Sequence, residues 1–451
     1  MERPSTAGTP SGESPPLRNA AELTKVLVLS YFFPPCNLPA AQRAQSWAVS
    51  LAAFGYRPIV VTRKWDQPLS HLRDVSRSST PGIEHKVFDG YEVFYLPYHG
   101  NLRDRLYVQY GESRLTLVRR TLTLLELVLQ PFFEHVIPYR NLREFALNYL
   151  RQQPDTNKMV VTGNPFVLFR FAYTLRRATG IKWIADYRDA WTTSTINLIN
   201  KGMIYRLVNG LERHFERHWV RTAGFITASS QPIAEGVSAL VDREGYVLHN
   251  GFVAEDFAGL EEVGKFEDFT ISYVGTLYDG QKIEIFCEAF RSLVDANPGA
   301  RVRLRFLGLA FYRSQQERVE RILKGYEAYY ECTQRMERQL VLEAEKRSHL
   351  LLHVAWDQHD GIIASKIYEY IASGSFILVT PSDRGAIQEI IEKSGCGCCT
   401  GSVNETRAFL EQEYRAYLAG RWRRNDLTSD HVLRFARRQQ ARKLAELLDR
   451  L

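Results

Sequence analysis

The sequence predicts an α/β protein built as two doubly wound parallel-sheet domains that face each other across a cleft. Three observations carry this. Short, unbroken apolar runs such as Val26-Leu27-Val28-Leu29 alternate with stretches of helical period, the pattern of strands covered on both faces by crossover helices. The alternation stops at Asn250-Gly251-Phe252, passes through a polar, acidic connection to Glu267, and starts afresh at 269–275. The 451 residues also exceed what one core ordinarily serves.

The first strand is expected at 25–30, followed by a Pro-rich loop at 31–39 and a helix at 40–54 that offers Trp47, Val49 and Leu51 for packing and stops at Gly55. A second strand at 57–62 completes a β-α-β unit. Further strands fit 92–96, 159–162, 183–186, 225–228 and 246–249, with helices at 143–152, 166–179, 203–221 and 232–240 between them. After the restart, strands fit 269–275, 302–308 and 350–354, with a helix at 281–295. Residues 312–347 are charged and helical in period, with Tyr326, Tyr329 and Tyr330 interleaved, which predicts long surface helices. A helix from Ser365 to Gly374 leads into the apolar run 376–379, and 431–451 reads as a basic amphipathic helix packing back at the domain junction. The predicted organisation is therefore a disordered Ser/Pro/Gly/Thr-rich tail at 1–24, domains at 25–250 and 251–430, and the terminal helix.

Composition narrows the function classes. Hydrophobic residues make up 45% and aromatic residues 12%, as in ordered globular proteins. A formal charge of +7 favours an anionic partner without choosing among nucleic acid, a membrane surface and an anionic substrate, but no nucleic-acid-binding module is present. The six cysteines, three of them at Cys396, Cys398 and Cys399, lack the spacing of a metal site or disulfide framework, so a reducing, cytoplasmic setting is expected. The stretch 115–138 is apolar but carries Arg119, Arg120, Glu126 and Glu134. It fits either a helix packed within its domain or one lying at the inner face of a membrane, with Arg105, Arg114, Arg119 and Arg120 near headgroups.

Two clusters carry chemistry. Lys366 and Glu369 lie three residues apart at a helix start, so they share a face, a cation beside a carboxylate. Open α/β sheets hold phosphate-bearing ligands at such junctions, and a solvated ion pair is the competing reading. Asp186, Arg188 and Asp189 follow a buried strand, so their loop projects beyond the sheet edge, where a mutual ion pair again competes with a functional role. Gly163-Asn164-Pro165 opens another turn on that side, and Arg43 is a weaker candidate. His99, His353 and His359 have no assigned role, and His249-Asn250-Gly251 reads as a hinge.

Five segments, Ser30-Tyr31-Phe32-Phe33-Pro34-Pro35, Asp186-Tyr187-Arg188-Asp189-Ala190-Trp191, His249-Asn250-Gly251-Phe252, Tyr273-Val274-Gly275-Thr276-Leu277-Tyr278 and Lys366-Ile367-Tyr368-Glu369-Tyr370, together resemble the retaining glycosyltransferases of the GT-B fold, particularly family-4-like enzymes of bacterial surface polysaccharide assembly. The resemblance spans nearly all of 25–445. It implies two Rossmann-like domains and metal-independent transfer of a sugar from a nucleotide diphosphate sugar to a glycan, lipid-linked or small-molecule acceptor, with no other cofactor. The donor is implied on the C-terminal domain, at Glu369, Lys366, Lys282, Gly275, Ser365, Arg384, Gly385 and Asp360. Glu369 matches the second of the family's paired glutamates. The first falls on Gly361, with Asp360 adjacent but offset by one residue. Among the acceptor-side candidates Asp189, Asp186 and Arg188, Asp189 is the expected group for positioning or deprotonating a hydroxyl. The missing carboxylate keeps a non-catalytic nucleotide-sugar-binding scaffold in view, and the fold itself also admits an epimerase or hydrolase.

Overall fold

A computed structural model describes residues 23–194, 202–356 and 361–451. The predicted tail lies almost wholly outside these residues, as do His359 and Asp360.

The two predicted parallel sheets are present. In the first lobe β1 (Thr24–Leu29), β2 (Tyr56–Arg63), β3 (Glu84–Phe88), β4 (Tyr91–Leu96), β5 (Lys158–Thr162), β6 (Lys182–Tyr187), β7 (Phe225–Ala228) and β8 (Gly245–Val247) line up in the order β3-β4-β2-β1-β5-β6-β7-β8. Every pairing is parallel except the β3–β4 hairpin. The hydrophobic run of β1 places it at the centre, where Val26 to Leu29 are fully buried. Helices α1 (Pro39–Ser50), α2 (Leu102–Tyr110), α3 (Thr116–Leu129), α4 (Asn141–Gln152), α5 (Leu168–Thr179), α6 (Met203–Val220) and α7 (Gln231–Val241) connect these strands.

The second sheet runs β11-β10-β9-β12-β13-β14, all parallel, from β9 (Phe269–Val274), β10 (Val302–Leu307), β11 (Tyr330–Cys332), β12 (Leu350–His353), β13 (Phe376–Val379) and β14 (Gly397–Cys399). Its helices are α8 (Glu284–Ala296), α9 (Arg313–Ile322), α10 (Arg338–Arg347), α11 (Lys366–Ser373), α12 (Ala386–Ser394) and α13 (Val403–Leu418). The short α14 (Asp430–Leu433) and the final α15 (Arg437–Arg450) follow.

Three expectations need correction. Residues 312–347 do not form long helices: α9 and α10 have ten residues each, and between them Tyr330–Cys332 is an edge strand of the second sheet. The terminal helix does more than rest at the junction. Ala441, Leu444, Ala445, Leu447 and Leu448 complete the core on one face of the first sheet, against Val26, Val28, Trp47 and Val60. The stretch 115–138 is not one helix: α3 ends at Leu129, and its inner side is half-buried against α2 and α6 although none of its described residues is fully buried. Among the described residues, no helix is long and apolar enough to cross a membrane.

The chain crosses between lobes twice, and the two crossings are tied together. Phe252 N donates to Phe435 O at 3.1 Å, and Arg437 N to Phe252 O at 2.8 Å. Gly251 has φ +67°, and a Cβ there would sit 2.5 Å from Phe435 O, so the close approach of the two strands requires glycine.

Candidate functional site

A doubly wound sheet binds ligands beyond the carboxyl ends of its strands, where neighbouring strands are followed by helices on opposite faces. In the first sheet this switch lies between β1 and β5, and in the second between β9 and β12. The carboxyl edges of the two sheets face each other. Asn37, Leu38, Leu69 and His71 of the first lobe and Phe311, Tyr312 and Arg335 of the second line a cavity of about 720 Å³ between them. Elsewhere along the gap the lobes touch, Ser230 Oγ donating to Gly361 O at 2.9 Å and His249 Nδ1 lying 3.1 Å from the Tyr368 hydroxyl.

At the β9/β12 switch, α11 clasps the end of β9. Lys366 Nζ donates to Val274 O at 3.0 Å and lies 3.8 Å from the centre of the Tyr273 ring, while Val274 N donates to the Tyr370 hydroxyl at 2.9 Å. Lys366 and Gly275 are thereby brought together, and Gly275 has open space around it at φ +90°. Desolvation pulls the Lys366 ammonium down to about 7, against the opposing pull of Glu345. Glu345 was not singled out from sequence. It is fully buried, neither carboxyl oxygen has a hydrogen-bond partner among the described residues, and burial pushes its pKa well above the usual range. Glu369 turns the other way and pairs with Arg338 at 3.0 Å, and Arg338 pairs in turn with Asp256 at 2.5 Å. Lys366 and Glu369 thus share the helix start but point to different partners.

The remaining second-lobe candidates are more dispersed. Ser365 precedes α11 and makes no side-chain cap, and Lys282 is exposed at the start of the α8 segment. Arg384 is exposed, with φ +52°. The turn it belongs to does not offer free backbone donors as the sequence suggested. Asp383 caps α12, its carboxylate accepting from Gly385 N at 3.1 Å, Ile387 N at 2.9 Å and Gln388 N at 3.1 Å. Gly361 has φ +90°, and a Cβ there would lie 3.2 Å from Pro232 of the other lobe, so the position that lacks the expected glutamate is also closed to one without a shift.

In the first lobe the cluster after β6 divides. Asp186 is fully buried and spoken for: it accepts from Arg43 Nε at 2.9 Å, Arg43 Nη2 at 2.6 Å and Thr227 Oγ1 at 2.7 Å. Arg43 also donates to Leu248 O at 2.8 Å, pinning α1 to the strand ends before the hinge. Asp186 is therefore held by three donors and shut away from a substrate by its burial, and its expected catalytic place becomes a structural one. Asp189 is exposed and, among the described residues, pairs only with Arg188, whose backbone carbonyl accepts from Ser229 Oγ at 2.6 Å.

The β1/β5 switch opens into an aromatic pocket of about 340 Å³ that the sequence reading missed. Tyr31 and Phe32 after β1 and Asn164 and Phe166 after β5 form one side, with Trp191 stacked on Phe166 at 5.1 Å. Glu126 of α3 and Glu212 of α6 enter from the other side. Burial raises both, Glu212 to about 7, with a hydrogen bond from Trp191 opposing the shift and the Arg103 cation opposing it at Glu126. The signal was present in the two polar residues on otherwise apolar helix faces, but nothing local shows that α3 and α6 meet.

No protein-family model and no curated protein matches the sequence. Among solved structures, the chain is similar to a trehalose-6-phosphate protein from E. coli bound with UDP-2-fluoro glucose, at a TM-score of 0.56 and 12% identity over 94% of this chain and 95% of that one. It is similar to sucrose-phosphate synthase from Thermosynechococcus elongatus, at 0.54 and 11% over 94% of each chain. It is also similar to Anabaena HepE in complex with UDP and glucose, at 0.53 and 12% over 95% of this chain and all of that one. At such identities the likeness is one of fold, and the fold is the two-lobed GT-B arrangement.

Proposed function

We propose that the protein is a glycosyltransferase that moves a sugar from a nucleotide diphosphate sugar to an acceptor held by the first lobe, with retention at the anomeric carbon and without a metal ion. The observation that carries this reading is the meeting of two switch-point crevices across one gap, one with a lysine and a carboxylate at a helix start, the other aromatic and acidic. Similar chains that hold UDP-2-fluoro glucose, or UDP and glucose, support a nucleotide-sugar donor.

In this reading Lys366 meets the diphosphate, where negative charge grows as the sugar departs, and Lys282 and Arg384 add positive field from the neighbouring loops. Gly275 and Ser365 let the ligand approach backbone closely. Glu369 accepts from the ribose hydroxyls, exchanging Arg338 for them. Asp189 positions or deprotonates the acceptor hydroxyl, with Arg188 fixing its carboxylate. The aromatic pocket stacks the acceptor sugar, and lobe closure about 250–252 excludes water that would otherwise hydrolyse the donor. A glycan or lipid-linked acceptor and a cytoplasmic setting complete the proposal.

The test is incubation with a panel of nucleotide sugars, following release of nucleoside diphosphate with and without acceptor extracts, and with and without chelator. Acceptor-dependent release that survives chelation supports the proposal. Gly361, standing where the resemblance expects a carboxylate and packed on Pro232, favours one second reading, a donor-binding protein without turnover. Tight binding with no release would select it, and acceptor-independent consumption would select an epimerase or hydrolase.

A further inference from the structure

The helix α3 separates two environments. Its inner side supplies Glu126, Leu127 and Gln130 to the aromatic pocket. Leu117, Val118 and Leu125, spaced to share one face, are 79%, 46% and 50% exposed, and Phe132 and Phe133 just past its end are also exposed. The neighbouring α6 repeats the arrangement. Glu212 faces the same pocket, while Met203, Ile204 and Leu207 of its first turns are exposed, Met203 by 76%. Phe132 meets Phe215 of α6 edge-on, with ring centres 5.2 Å apart, so the two helices adjoin. Apolar side chains this numerous and this exposed call for a partner.

Charge selects the partner. Arg114, Arg120 and Arg206 are exposed among these apolar groups and make no ion pair among the described residues. The carboxylates on the same stretch are already engaged, Glu126 with Arg103 at 2.8 Å and Glu134 with Arg143 at 2.8 Å. An apolar face fringed by unpaired arginines matches the interface of a bilayer carrying anionic headgroups, into which such a face sinks while its cations stay among the phosphates.

We propose that α3, the Phe132-Phe133 segment and the start of α6 dock the first lobe on an anionic membrane surface. The acceptor is then a lipid-anchored molecule whose polar head enters the pocket from the inner side of the same two helices. The docking stands on the exposed face alone, whereas the nature of the acceptor rests on the sugar-transfer reading.

The test is sedimentation of the full chain with vesicles of phosphatidylcholine, pure or mixed with phosphatidylglycerol, at low and high salt. Strong partition to the mixed vesicles, weakened by salt, is expected. Leu117→Glu with Leu125→Glu, and separately Arg114→Glu with Arg120→Glu, each reduce that partition about tenfold or more without changing the melting temperature, since the side chains are exposed. No sedimentation with anionic vesicles at low salt, or variants that sediment like the wild type, overturns the docking. A wild-type dimer that the two-leucine variant dissolves also overturns it, by giving the face to a second copy. Donor consumption measured in the same preparations separates the two readings, because its absence beside intact vesicle binding rejects sugar transfer and leaves the docking supported.

Discussion

The buried pair between Arg43 and Asp186 makes a demanding prediction, because sequence placed Asp186 among the reacting groups and the structure places it in the scaffold. The two side chains are 4% and 0% exposed, and three donors converge on the carboxylate. Changing Asp186→Val leaves a buried guanidinium with neutral acceptors, Leu248 O at 2.8 Å and His249 O and Asn250 Oδ1 at 3.4 Å, and Arg43→Met leaves a buried carboxylate with Thr227 as its remaining side-chain donor among the described residues. Breaking one side of such a pair costs about 3–5 kcal/mol. The double variant leaves neither orphan, so its loss is expected to be no larger than that of either single change. Urea unfolding followed by tryptophan fluorescence reads this well, since Trp47, Trp65, Trp183, Trp191 and Trp219 lie in the first lobe and only Trp356 and Trp422 in the second. The lobes can unfold separately, so the first-lobe transition is fitted by itself. A wild-type midpoint for Asp186→Val, together with a loss of sugar transfer of about a hundredfold or more, would refute the structural assignment and return Asp186 to the chemistry.

Three further outcomes follow from the geometry. Glu369→Ala weakens UDP binding by about 1.5–3 kcal/mol in calorimetry, the worth of hydrogen bonds to a charged group, and leaves a dideoxyribose analogue unaffected. Lys366, held at about 7 in the free protein, carries its charge below that pH and loses it above, and a bound diphosphate favours the charged form; UDP affinity therefore falls as pH rises from about 7, and Lys366→Met removes that slope. Leu444→Ala destabilises the first lobe by about 2–5 kcal/mol although the residue lies after the second lobe in sequence, which the same fluorescence unfolding measures.

Much of the fold was legible because central parallel strands must be apolar on both faces. The runs at β1, β9 and β12 stand out for that reason, as does the pause at 250–252 where the chain changes lobe. Edge strands carry no such constraint. β3 is Glu-His-Lys-Val-Phe with most side chains in solvent, and β11 and β14 have three residues each, so their sequences resemble loop or helix. Gly325, at φ +91°, helps break the helical pattern that the charges of 312–347 suggested. The terminal helix was visible from its period, but its berth on the first sheet depends on a crossing that no local signal records.

The candidate site was legible in position more than in role. Lys366, Glu369 and Gly275 lie at the second switch point because strand ends and helix starts are local features. Asp186 could not be assigned from its own segment, since its partner Arg43 is 143 residues away. The same distance problem hid Glu212 and Glu126, which share a pocket only after α3 and α6 pack.

The most direct measurement is a structure of the chain with UDP bound. The expected result is the diphosphate beyond the ends of β9 and β12, within hydrogen-bond reach of Lys366, and the ribose at Glu369 with Arg338 displaced from it. A nucleotide seated in the first-lobe aromatic pocket, or on a face remote from α11, would contradict it.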